Sequence, residues 1–251
     1  MVFDFQEHRA HDYRSLIRRW RALARRIGLP IRRYCTADGF DLYCLRSPAL
    51  KQTGGIYLSA GIHGDEPAGT EGLLFWANLM GSALLDLPVI CFPCLNPWGL
   101  IHNRRSDADG NDLNRSYHKQ DLERIVTQLQ IIEKLSFRLA MCLHEDYDAQ
   151  GVYLYEVPGY PQKIGPELIA AAGYYLPVDL RFRIEGRRAR QGVIARRPRL
   201  LQQLPFMPEA GVLVRHHGAR AITFETPSEY DLAARVQAHA AVIHRAIELV
   251  S

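Results

Sequence analysis

Gly61-Ile62-His63-Gly64-Asp65-Glu66-Pro67 follows an apolar run, Ile56-Tyr57-Leu58-Ser59-Ala60, and precedes a stretch that carries Leu73, Leu74, Trp76 and Leu79. The apolar run reads as a buried strand and the following stretch as a helix. Pro67 suits the first turn of that helix, where its missing N–H has no intrahelical partner to lose. His63 and Glu66 therefore sit on a tight turn at the C-terminal end of a strand, where open α/β sheets bind their ligands. An imidazole and a carboxylate three residues apart can close on one cation from such a turn, and zinc accepts both donors. The same residues also suit an ordinary helix start, because Asp65 and Glu66 favour its positive end.

Strand and helix patterns alternate on both sides of this turn. Residues 40–45, 88–95, 137–143, 152–157 and 220–224 read as strands, and 68–80, 119–135, 163–174 and 229–250 as helices. The alternation predicts an α/β fold: a single domain with a mixed, mostly parallel, twisted sheet and helices on both faces. Residues 12–27 form a further helix with Leu16, Trp20, Leu23 and Ile27 on one stripe and Arg18, Arg19, Arg21, Arg25 and Arg26 facing out. That stripe suits packing on a domain surface. The span 1–35 thus reads as an N-terminal helical extension packed on one domain covering 1–251.

Composition narrows the function classes. The 251 residues carry a net charge of +4 with His neutral, too weak a balance to argue for nucleic acid. No apolar run reaches about 18 residues, so no membrane span is expected. The N-terminus lacks the apolar core of a secretory signal, and the five cysteines read as reduced core thiols, which together suggest a cytoplasmic protein. Cys91-Phe92-Pro93-Cys94 has a redox-like spacing but falls within a strand pattern, which favours a buried structural role.

Further polar stretches share the position of the first. Asn96-Pro97-Trp98-Gly99, Arg105 and Asp112-Leu113-Asn114-Arg115 follow the 88–95 strand, His144 follows 137–143, and Glu225 follows 220–224. One fold rule brings all of them towards the same rim of the sheet. His63, Glu66 and His144 make a set of two imidazoles and one carboxylate, leaving a fourth position open for water, as in catalytic zinc sites. Glu225, at an apolar strand end, suits a general base, because burial raises a carboxylate's pKa towards the working range. Arg105 suits stabilisation of an oxyanion, and Asn114 with Arg115 suits a grip on a substrate carboxylate. Plainer roles stand beside these. His144 also fits a core histidine, Glu225 a helix-start carboxylate, Arg104 and Arg105 a solvated face, and Asp112 a turn residue.

With these motifs in order, the sequence resembles the zinc metallocarboxypeptidase superfamily typified by carboxypeptidase A. The family pattern of His-x-x-Glu, Asn-Pro-x-Gly, an Arg, Asp-x-Asn-Arg, a distant His and a catalytic Glu is matched by His63–Glu66, Asn96–Gly99, Arg105, Asp112–Arg115, His144 and Glu225. The resemblance implies a carboxypeptidase A-like (phosphorylase/hydrolase-like) fold and one Zn2+ per chain on His63, Glu66 and His144. It further implies carboxylate-binding Asn114 and Arg115, oxyanion-stabilising Arg105 and general base Glu225. The implied substrate is a small peptide or acyl-amino acid with a free carboxylate. Two branches compete: peptidases, including forms like murein peptide amidases, and the succinylglutamate desuccinylase and aspartoacylase group. The deacylases carry an extra C-terminal β-domain, whereas residues 226–251 here suffice for one helix, which favours the peptidase. A third reading is a non-catalytic carboxylate-binding module of the same fold, which would have no use for Glu225.

Two features depart from the family pattern. No Tyr lies between Tyr175 and Tyr230, where the substrate-covering tyrosine is expected, which leaves the role to Tyr153, Tyr155 or another group. The segment 181–199 holds Arg181, Arg183, Arg187, Arg188, Arg190, Arg196, Arg197 and Arg199. It reads either as a solvated hairpin or, in part, as a cleft wall that selects acidic substrates.

Overall fold

The structure is a computed structural model, and it describes residues 10–119, 121–157, 163–196 and 206–251. In chain order the elements are α1 (Tyr13–Ile27), β1 (Ile31–Ala37), β2 (Phe40–Arg46), β3 (Gly55–Ala60), α2 (Pro67–Met80), β4 (Val89–Phe92), α3 (Pro97–His102) and α4 (Glu123–Ile132). They continue with β5 (Phe137–Asp146), β6 (Tyr153–Val157), α5 (Gly165–Ala172), β7 (Arg183–Ile184), β8 (Arg187–Arg188), β9 (Val193–Ala195), α6 (Glu209–His217), β10 (Ala221–Pro227) and α7 (Leu232–Val250). An eight-stranded sheet of order β1-β2-β4-β3-β5-β10-β6-β9 forms the single α/β domain, with β7 and β8 as a separate hairpin.

The centre of the sheet, β4-β3-β5-β10, is parallel, and antiparallel pairings lie on both sides of it. Every residue of β3 is buried. Ile56 and Leu58 face one core with Leu73, Trp76 and Ile243, while Tyr57 faces another with Phe92, Ile125 and Val212. Helices cover both faces, which is why the strand before His63 is apolar without alternation.

Helix α1 forms as its stripe predicts: Leu16, Trp20, Leu23 and Ile27 are all buried. Asp12 caps it by accepting the Ser15 N–H at 2.9 Å, and Gly28 ends it in the left-handed region with φ 69°. Of the extension expected over 1–35, residues 1–9 lie outside the described residues, and the rest is helical over Tyr13–Ile27 but not beyond, because Ile31–Ala37 pairs with β2 as the edge strand of the sheet. Arg32, Arg33 and the irregular step before Cys35 hide this strand from a hydrophobic reading.

Other boundaries shift for local reasons. The 88–95 strand stops at Phe92, since Pro93 has no N–H for the ladder. Strands β5 and β10 run past their apolar cores to Asp146 and Pro227, pairing Glu225 with His144 in register. Both residues are thus inside strands rather than after them. All five cysteines are buried and free, as expected of core thiols.

Candidate functional site

The first motif turns tightly because two glycines permit it. A Cβ on Gly64 would lie 1.9 Å from the Gly99 carbonyl carbon, so the His63 turn packs directly on the start of α3. Asn96 caps that helix by accepting the Gly99 N–H at 3.0 Å, and its amide donates to the Ser106 carbonyl at 3.0 Å. The Asn-Pro-x-Gly motif therefore fixes the loop that carries Arg105 against the turn that carries His63.

His63, Glu66 and His144 converge as expected: one ligand atom from each lies within 4.8 Å of the others, and all three residues are buried. Glu66 begins α2, but its carboxylate makes no cap hydrogen bond. Instead one oxygen lies 2.5 Å from His63 Nδ1 and the other 2.8 Å from His144 Nδ1. The helix-start reading of Glu66 is thereby set aside. Burial alone would keep this carboxyl protonated, but the two flanking imidazoles outweigh it and hold it ionised. Burial likewise opposes a charge on His63, yet Glu66 and Asp112 lift its pKa to about 9. Two Nδ1 atoms and a carboxylate thus surround a point suited to positive charge, the donor set of a divalent metal site.

Asp112 is more than a turn residue. Its Oδ1 lies 3.3 Å from His63 Nε2 and its Oδ2 accepts from Arg105 Nε at 3.1 Å. It therefore orients the ring so that Nδ1 faces the ligand point. The Asp-x-Asn-Arg motif offered the signal for this role. Arg105 also reaches within 3.6 Å of Glu66.

Glu225 lies beside His144 through the β5–β10 register and beside Tyr153 through the β10–β6 register. Burial raises its carboxyl pKa well above the ordinary range. His144 opposes the shift, and the charges of Glu66 and Asp146 reinforce it. Asn114 and Arg115 line the same cleft, a volume of about 760 Å³. Asn114 Oδ1 also accepts the Glu209 N–H at 3.0 Å at the start of α6, so half of its amide is spent on the fold. The Arg115 guanidinium stacks over Phe206 at 4.5 Å from the ring centroid.

Glu145 points to the face opposite His144, whereas Asp146 shares the His144 face but is engaged by another partner. Asp146 accepts from Tyr153 OH at 2.8 Å, and Glu145 caps the Ala68 N–H at 2.6 Å while pairing with Arg235 of α7 at 2.5 Å. Among the described residues neither joins a second metal cluster. Arg235→Leu would leave the buried Glu145 without its cation. We expect it to destabilise the fold by about 3–5 kcal/mol, read from the urea midpoint.

This fold defines a class by its architecture: the chain is a single α/β domain with a carboxypeptidase A-like fold. Within it, residues 52–174, just under half of the chain, match the succinylglutamate desuccinylase/aspartoacylase catalytic domain. Solved structures agree on the fold. A protein from Shewanella baltica OS155, provisionally named a metallopeptidase, is 20% identical with TM-score 0.85, over 100% of this chain and 98% of that one. Its Shewanella amazonensis SB2B counterpart, provisionally named likewise, is 22% identical with the same TM-score and coverage. A metallo-carboxypeptidase from Pseudomonas aeruginosa, in complex with (2-guanidinoethylmercapto)succinic acid, is 18% identical with TM-score 0.67, over 93% of this chain and 68% of that one. No curated protein matches the sequence. Among the described residues no helix is long and apolar enough to cross a membrane.

Proposed function

We propose that the chain is a zinc-dependent metallocarboxypeptidase, hydrolysing an amide bond next to a free carboxylate, with one zinc ion held by His63, Glu66 and His144. The observation that carries this reading is the buried convergence of those three donors with Glu225 in register beside His144. Zinc, when bound, supplies Lewis-acid chemistry that lowers the pKa of water and polarises a carbonyl. The residues supply the rest. Glu225 takes the proton of the attacking water and hands it to the leaving amine nitrogen. Asp112 keeps His63 oriented with Nδ1 towards the cation. Asn114 and Arg115 grip the substrate carboxylate, Arg115 through its planar fork. The carboxylate-bearing compound bound to the Pseudomonas aeruginosa relative supports a ligand of this type.

Arg105 stands at the cleft between Asp112 and Glu66, which supports its role as donor to the oxyanion that forms on the attacked carbonyl. Arg105→Met is expected to lower kcat by about 10²- to 10³-fold with bound zinc retained. A fall in zinc content matching the loss of rate would count against the role.

A second reading, N-acyl-amino-acid deacylation, is favoured by the family match over 52–174. The deciding experiment compares kcat/KM for blocked dipeptides and for N-acyl-amino acids with the zinc-loaded chain. Faster release from acyl-amino acids selects the deacylase. No turnover of either class, with carboxylate binding retained, selects a non-catalytic binding module and removes both hydrolase readings.

A further inference from the structure

The arginine-rich segment left the sequence with two readings, and the cleft wall divides its members between them. The β7–β8 hairpin turns through Glu185 and Gly186, both at positive φ. Its residues Ile184 and Ala189 are buried against Tyr153 and Ile194, so the hairpin is anchored to the sheet rather than loose. Arg181 is engaged by Asp179, Arg183 reaches the Gly186 carbonyl at 3.5 Å, and Arg188 lies over Phe182 at 5.0 Å from the ring centroid. These are the solvated or locally satisfied members. Arg197 and Arg199 lie outside the described residues.

Arg187 and Arg196 differ from them: both line the cleft. Arg196 is half-buried with its guanidinium over Tyr155, 5.5 Å from the ring centroid. Among the described residues neither Arg187 nor Arg196 has a carboxylate within ion-pair distance. The nearby Glu185 is occupied as acceptor of Tyr155 OH at 2.6 Å. Burial, together with the positive charge of Arg187, lowers the pKa of Arg196. Tyr155 pairs across the sheet with Thr223, two residues before Glu225, and Thr223 lines the cleft as well. Two like charges, Arg196 half-buried and Arg187 exposed, thus line the wall that carries the general base, close enough for each to act on the other, with Glu185 offsetting part of their charge. An anion between them would relieve that repulsion and gain bidentate hydrogen bonds.

We infer that Arg187 and Arg196 form a second anion-binding subsite in the cleft, which takes a second carboxylate of the substrate. The inference rests on the hydrolytic reading above and narrows it to dicarboxylic substrates. Asn114 and Arg115 hold one carboxylate; Arg187 and Arg196 hold the other, carried either by an acidic C-terminal residue or by a dicarboxylic acyl group.

The test uses the full-length, zinc-loaded chain with two isosteric pairs: hippuryl-Glu against hippuryl-Gln, and N-succinyl-leucine against N-succinamoyl-leucine. In one pair the charged member is expected to be favoured about 10- to 100-fold in kcat/KM, and the pair that responds tells which side carries the carboxylate. In R187M/R196M the two members should react within about twofold of each other. R183M, in the same hairpin but away from the cleft, should keep the wild-type ratio. The subsite is overturned if neither pair discriminates in the wild type, or if the double variant keeps the discrimination. Binding is read in parallel by calorimetry with N-acetyl-glutamate and N-acetyl-glutamine. If nothing is hydrolysed, the hydrolytic reading falls and calorimetry alone judges the subsite. With N-succinyl-leucine and N-succinamoyl-leucine as the second calorimetric pair, tighter binding of the charged member of either pair that is lost in R187M/R196M upholds it, and equal binding within both pairs in the wild type overturns it.

Discussion

Glu225→Gln is expected to lower kcat by about 10²- to 10⁴-fold while leaving zinc content and substrate binding in place, as the loss of a general base requires. The argument rests on where β10 puts the side chain. In a parallel ladder, residues opposite one another point to the same face, so the pairing of Glu225 with His144 sets the carboxylate beside the ligand cluster without making it part of the cluster. Glutamine keeps the shape and removes the proton acceptor. Burial raises the Glu225 pKa, so the free acid persists at a pH where an exposed glutamate would already be ionised. Its ionised fraction grows as pH rises through that pKa, so activity should rise with it. The residual activity of the Gln variant should lack this acid limb in kcat/KM against pH. A variant that keeps both its rate and its acid limb would show that another group takes the proton.

Legibility in the sequence followed the physics of each residue. The strand before His63 was readable because both of its faces are buried, which demands an unbroken apolar run such as Ile56-Tyr57-Leu58. Helix α1 was readable because one buried stripe repeats at helical spacing. The rim residues were readable because the ends of parallel strands share one edge of the sheet, whatever the loops between them do. Strand β1 was not, since its outer position lets Arg32 and Arg33 replace apolar residues. Nor was α6, whose first turn is held from a distance by Asn114 rather than by a cap of its own. The same holds beneath the site. Glu145 follows His144 directly in the chain, yet it does not support the imidazole. Strand pleating sends it to the opposite side, where Arg235, ninety residues later in the chain, meets it. Asp112 was underrated for a related reason: its partners, His63 and Arg105, are contacts of the fold and not of the local turn.

His63→Ala is expected to abolish metal binding, taking zinc from about one ion per chain to a small fraction of one, and hydrolysis with it. Removing this imidazole leaves a carboxylate and one imidazole, too few donors for a catalytic zinc site. It also strands its neighbours. Glu66 loses one of the two imidazoles that hold it ionised, and Asp112 keeps Arg105 as a partner but loses the ring it orients. Stability offers an independent readout. A ligand that binds only the folded chain stabilises it by about 4 kcal/mol when its free concentration is a thousandfold above Kd. Added zinc should therefore raise the Tm of the chelator-treated wild type and leave that of His63→Ala unmoved. His144→Ala should behave in the same way, although it removes a donor 81 positions further along the chain, because His63 and His144 meet through Glu66. If either variant bound zinc as tightly as the wild type, the three donors would not form a single site, and the hydrolytic role of Glu225 would lose its partner.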